Sequence, residues 1–208
     1  MEIYECEEAV QDALKQPRPR RIVNIINEVG STFVEALACH LAKEQSKQAD
    51  TSSSTTSARK NSIDFVCLDC REDGPEGRAR AFFSAPPPTV VFCANRLHSA
   101  KEVEETMVHE LIHAYDFTVR SMDITKSDLL ACSEIRSARE SECYRMARLL
   151  ANAIPDVAFF QKSATWLNRQ CVRDHAIRST RSMFPDKAKD EVDKMFNQCY
   201  ADQSPFTQ

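Results

Sequence analysis

No apolar run in this 208-residue chain approaches the roughly 18 residues needed to cross a bilayer, so the sequence allows peripheral membrane contact only. Positive charge is also in short supply. Lys and Arg total 27 against 31 Asp and Glu, and the formal net charge of −4 gives no electrostatic case for a nucleic-acid partner. The opening residues, Met1 to Glu8, are acidic, which argues against a cleaved, Arg-rich transit peptide and against a secretory signal. His is sparse at five, with none between His113 and His175, and no second Cys-x-x-Cys accompanies Cys67 and Cys70.

What is present is enough for one sizeable core: 42% of residues are hydrophobic, and one domain is favoured. The most informative stretch is Thr106-Met-Val-His-Glu-Leu-Ile-His-Ala-Tyr-Asp116, which contains His-Glu-x-x-His. Residues four apart share a helix face, so His109 and His113 can offer two imidazoles to one Zn²⁺. Glu110 sits beside them, where a carboxylate could take the proton of a water activated for attack on an amide carbonyl. Leu111, Ile112 and Ala114 make the helix apolar, as expected of a buried one, and Ser99-Ala-Lys-Glu102 is a capping box that would start it.

Zinc chemistry needs a third protein ligand and one open position. Because the next His is His175, a ligand from a His close downstream is ruled out. Glu134, in the helical pattern Leu129-Leu-Ala-Cys-Ser-Glu-Ile-Arg136, is the better candidate; a turn between Arg120 and Lys126 would fold its helix back on the first. Asp116, three residues past His113, competes, either as the ligand or as a group that orients an imidazole.

His-Glu-Leu-Ile-His-Ala-Tyr-Asp followed by Ala-Cys-Ser-Glu-Ile-Arg resembles the mitochondrial inner-membrane metalloproteases that mature ATP synthase subunit 6 and assist ATP synthase assembly. Cys67-x-x-Cys70, Val91-Phe-Cys-Ala-Asn95, Cys171-Val-Arg173 and Ser204-Pro-Phe206 extend the resemblance over about residues 60–208. The resemblance implies a zincin-like α+β fold, mostly helical, with a small sheet next to the active-site helix. It also implies His109 and His113 as metal ligands, Glu110 as the catalytic residue, Zn²⁺ as cofactor and an ATP synthase subunit precursor as substrate. The implied location is peripheral, on the intermembrane-space side of the inner membrane. The competing function is an assembly chaperone whose metal site is dispensable. Two segments depart from the family pattern. Gly74-Pro-Glu-Gly77 and a longer Pro-rich run replace a Gly-Gly segment, and Glu140-Ser141-Glu142 replaces Leu-Ser-Gly before Cys143. Both are expected to affect the substrate groove and leave the metal site alone.

Nine Cys is a high number, and it favours disulfides in an oxidising compartment over a structural zinc at Cys67 and Cys70. The intermembrane space implied by the resemblance is such a compartment. An odd count leaves at least one thiol free in a monomer.

The chain divides into an N-terminal helical arm (1–45), a polar linker or insertion (46–61) and a protease domain (62–208). Helices are expected at 3–15, 20–45, 99–119, 126–151, 163–182 and 185–199. Thr125-Lys-Ser-Asp128 offers an N-cap, and Pro185 sits in a first turn. Strands are expected at 62–68, 81–83 and 89–93, the last either an edge for pairing with an extended peptide or a buried central strand. The charges at Arg136, Arg139, Glu140, Glu142 and Arg145 read as a solvated face. Trp166, Leu167 and Cys171 read as inward, and His98 and His40 as ordinary surface or structural residues. Tyr115 and His175 are candidate oxyanion donors.

Overall fold

The computed structural model describes residues 1–29, 62–73, 77–145, 149 and 158–206. Helix α1 (Ile3–Lys15) buries Cys6, Ala9, Val10 and Ala13, a spacing of three and four that aligns them on one face. It stops at Gln16, whose extended backbone is what a following proline demands, and α2 restarts at Pro17 and is helical over residues 17–29. Ile22 and Ile26 of α2 are buried and Val29 is exposed; residues 30–45 of the expected helix, with His40, and the 46–61 linker lie outside the described residues.

Strands β1 (Asp64–Leu68), β2 (Ala81–Ser84) and β3 (Thr89–Cys93) form one sheet in the order β1-β3-β2. β1 runs parallel to β3, and β2 antiparallel to it. Of the two places open to 89–93, this excludes the edge and leaves the buried centre: β3 is paired on both sides, and Val90 through Cys93 are buried. The edge beside the motif helix is β2. Cys93 N–H donates to Arg80 O at 2.9 Å, and the alternation of an antiparallel ladder then turns the main-chain groups of Ala81 and Phe83 outward.

Helix α3 (Ala100–Thr118) carries the motif. The Ser99 side chain accepts from Glu102 N–H, while Glu102 accepts from His98 N–H at 2.8 Å. Its apolar face joins α1, α2 and the sheet in a first core. Helix α4 (Ser127–Glu140) packs on α3 and joins α5 (Ala158–Met183) and α6 (Ala188–Ala201) in a second core of Ala131, Ile135, Ala138, Val172, Ala176, Val192 and Phe196. The facing faces of α3 and α4 form the seam between these two cores.

Several boundaries and faces differ from expectation. Lys126 is the N-cap of α4 and makes no side-chain capping bond. α4 ends at Glu140 because Ser141 leaves helical geometry, at φ −114° and ψ −95°; residues 142–145 then make one further helical turn. α6 begins at Ala188, with residues 185–187 in a turn ahead of it. Trp166 is 59% exposed and Leu167 42% exposed; the inward stripe of α5 is Asn168, Val172, Ala176 and Thr180, each four residues apart. The predicted solvated face of α4 is buried at Arg136, Arg139 and Glu140, and only Arg145 is exposed. These charges serve one another and the chain ends: Arg136 pairs with Asp116, Arg139 with Glu140 and Tyr200 O, and Arg18 with Glu140.

Four disulfides join Cys6–Cys67, Cys70–Cys93, Cys132–Cys199 and Cys143–Cys171. Cys67 and Cys70 therefore belong to different bridges; the ninth Cys, Cys39, lies outside the described residues. Cys132–Cys199 spans 67 residues and ties α4 to α6. Chain-entropy loss for such a loop is about 4 kcal/mol. Replacing both residues with Ser is expected to lower the unfolding free energy by about 2–5 kcal/mol, read from the urea midpoint. An unchanged midpoint would show that the bridge contributes nothing.

Candidate metal centre

His109 and His113 are one helical turn apart on the α4-facing side of α3, and both are buried. Glu134, from the second turn of α4, meets them. His109 Nε2 lies 3.2 Å from Glu134 Oε2, and His113 Nε2 lies 3.6 Å from Glu134 Oε1. Ligand atoms of the three residues all fall within 4.8 Å of one another.

This donor set fits a divalent cation. Glu134 Oε2 is buried without a hydrogen-bond partner, an expensive condition for a carboxylate oxygen unless something else satisfies it. Both imidazoles turn the same nitrogen toward it. A tetrahedron with bonds of ~2.1 Å has edges of ~3.4 Å, which is the observed spacing, and two imidazoles with one carboxylate suit zinc.

The far side of each ring is held differently. His113 Nδ1 is 2.8 Å from Ser133 Oγ, which donates to Asp116 Oδ2 at 2.8 Å; Asp116 in turn pairs with Arg136. Of the two competing carboxylates, Glu134 therefore occupies the focus. Asp116, fully buried, stands behind His113 and acts on it through Ser133. His109 Nδ1 is 3.2 Å from Glu142 Oε1 and 3.3 Å from Oε2. Glu140-Ser141-Glu142 thus reaches the site itself, which corrects the expectation that this departure touches only the groove. Ser137 Oγ also donates to His109 O at 3.1 Å, pinning α4 to α3 at the motif.

Glu110 is buried, and the outward N–H of Phe83 in β2 faces its carboxylate and favours the charged form. From the protein's own groups alone, burial pushes its pKa up to about 7, with the His109 charge opposing. Burial likewise lowers His113 to about 4 against the pull of Glu134. For His109, burial acts downward, but Glu142 and Glu134 override it and lift it well above the ordinary imidazole value. For Glu134, burial acts upward and the two imidazoles outweigh it, so the carboxylate is held below its usual range.

Ser133, Arg136 and Glu142 are site residues that sequence reasoning missed. The only sequence signal was adjacency: Ser133 precedes Glu134, and Arg136 follows two residues on. Tyr115 packs against the first core, with the Arg136 guanidinium 5.7 Å from its ring centre. Half-buried His175 is the oxyanion candidate that feels the charges of His109 and Glu142. Cys143, Cys171 and His175 also lie within 4.8 Å of one another, but the two sulfurs are bonded to each other and offer no thiolate.

The family model described as the peptidase M76 family matches residues 4–207. The "Mitochondrial inner membrane protease ATP23 homolog" of Homo sapiens is 34% identical over 147 residues, covering 68% of this chain and 54% of the relative. Its Xenopus laevis namesake is 33% identical over 147 residues, covering 68% and 57%. "Mitochondrial inner membrane protease atp23" of Schizosaccharomyces pombe is 31% identical over 125 residues, covering 58% and 64%. The match to the two vertebrate relatives spans a little over half their length. No solved structure matches. A family match that runs from residue 4 to residue 207, across both helices of the His-Glu focus, places this chain in the peptidase M76 family.

Proposed function

We propose that this chain is a zinc-dependent endopeptidase, with His109, His113 and Glu134 as metal ligands and Glu110 as the catalytic residue. The observation that carries the proposal is the buried Glu134 carboxylate facing two Nε2 atoms, one at each oxygen, with Oε2 otherwise without a hydrogen-bond partner. When bound, Zn²⁺ supplies a Lewis acid for the peptide carbonyl and lowers the pKa of a water within its reach to ~7. Glu110 takes the proton of the attacking water and returns it to the leaving amine. The Phe83 N–H that faces it ties it to β2, so base and substrate edge are registered to each other. The outward main-chain groups of Ala81 and the carbonyl of Phe83 are where an extended peptide adds as a further strand.

The resemblance supports a precursor segment of an ATP synthase subunit as substrate, together with a role in its assembly and a peripheral attachment. The names of the relatives support a place at the mitochondrial inner membrane. Four disulfides fit the oxidising intermembrane-space side, and among the described residues no helix is long and apolar enough to cross a membrane.

The test is the metal content of purified protein. The parent is expected to hold one zinc per chain, and His109→Ala and Glu134→Ala to bind it at least about tenfold more weakly. Full occupancy in Glu134→Ala would take Glu134 out of the ligand set; no zinc in the parent would end the zinc reading.

A further inference from the structure

The two ligating imidazoles are supported unequally. His113 rests on a hydroxyl, Ser133, and reaches a carboxylate only through it. His109 rests directly on a carboxylate, with both Glu142 oxygens within 3.3 Å of Nδ1. We propose that Glu142 is a positioning residue that sets the tautomer and donor strength of His109 and thereby the zinc affinity of the site. This rests on the zinc reading above and adds to it the residue that tunes the metal.

The geometry assigns Glu142 a supporting place. Nδ1 and Nε2 point away from each other on an imidazole, so a group on Nδ1 cannot reach an ion held by Nε2. A carboxylate there accepts the Nδ1 proton, which leaves the Nε2 lone pair free toward Glu134. Two other groups contact the Glu142 carboxylate: the Ser141 hydroxyl, which donates to it and lies 3.4 Å from His109 Nδ1, and Arg80, 3.9 Å away, which also reaches Glu105 at 3.9 Å. The backbone is held on both sides: Ser141 breaks α4 just before Glu142, and Cys143 just after it is bridged to Cys171. A carboxylate fixed this way reaches the ring without ordering a long free side chain at the moment of binding.

The experiment is a zinc titration of the metal-stripped full chain against a chromophoric chelator. Glu142→Ala is expected to lose about 10–100-fold in affinity. Glu142→Gln keeps an acceptor oxygen without the charge and is expected to fall between Ala and the parent. Glu105→Gln shares Arg80 without touching the imidazole and is expected to stay within about threefold of the parent. Disulfide count and the melting temperature of the stripped protein report on folding separately. An Ala variant within about threefold of the parent, or a Glu105→Gln loss as large as the Ala loss, overturns the proposal. Should Glu142→Ala fail to fold, ¹⁵N shifts of His109 in the zinc-loaded parent decide: a ring protonated on Nε2 and ligating through Nδ1 overturns it, and one protonated on Nδ1 supports it. A parent that binds no zinc would sink the underlying zinc reading, whereas a parent that binds zinc as tightly as its Ala variant would sink only this inference.

Discussion

Glu110→Gln is expected to retain one zinc per chain and to lose about 10²–10⁴ in kcat/KM. The substitution is nearly isosteric, and the carboxamide oxygen still faces the Phe83 N–H, so β2 stays registered to α3. What disappears is a group that can hold a proton between attack and departure of the amine. Glu110 is not one of the three proposed ligands, so the metal is expected to stay bound. Cleavage of an unfolded protein or of the ATP synthase subunit precursor gives the rate, and elemental analysis of the same sample gives the metal. A variant that cleaves at more than about a tenth of the parental rate removes Glu110 as the proton carrier. In cells, ATP synthase assembly that survives Glu110→Gln would show that an assembly role is separable from proteolysis.

How much of this site could be read from the sequence depends on how far apart the partners lie along the chain. The motif helix, α1 and the three strands follow from local periodicity, which burial then obeys: Cys6, Ala9, Val10 and Ala13 fall on one face as their spacing requires. Glu134 was reachable because one turn and one helical period connect it to His113. For Thr89–Cys93 the sequence leaves edge and centre open, and the buried central place it takes suits a nearly unbroken apolar run, the pattern of a strand covered on both sides. The charged residues of α4 misled for a different reason. Charges are usually solvated, and a buried one requires a partner that sequence does not announce. Arg136 finds Asp116 20 residues back, Arg139 finds Tyr200 O 61 residues on, and Glu140 finds Arg18 122 residues away. Glu142 belongs to the same class: only the break at Ser141 turns it back onto His109. The proposed ligands are announced by a motif and a helical period, whereas the charges that support them announce no partner, even at a similar separation: Arg136 lies 20 residues from Asp116, about as far as Glu134 from His113.

That division predicts the largest stability effect in the molecule. Arg136 and Asp116 are both fully inaccessible and paired with each other; Asp116 also holds the hydroxyl that holds His113, and Arg136 also donates to Ser204 O at 2.7 Å. Arg136→Met keeps the volume and removes the cation, which leaves a buried carboxylate with one hydroxyl donor. Arg120, 3.6 Å from Asp116, is the nearest remaining cation, but moving it inward breaks its 2.7 Å bond to Asp202. The expected cost is therefore the full cost of breaking a buried pair, about 3–5 kcal/mol. At about 2–4 °C per kcal/mol for a chain of this size, the melting temperature should fall by about 6–20 °C. Arg120→Met removes a partly exposed cation and should cost under about 1 kcal/mol. The same Arg136 variant should also weaken zinc binding, because Asp116 freed from Arg136 no longer fixes Ser133 against His113; calorimetry and a chelator titration on one preparation read both effects. A melting temperature within about 2 °C of the parent would mean that neither contact of Arg136, to Asp116 or to Ser204 O, contributes measurably to stability.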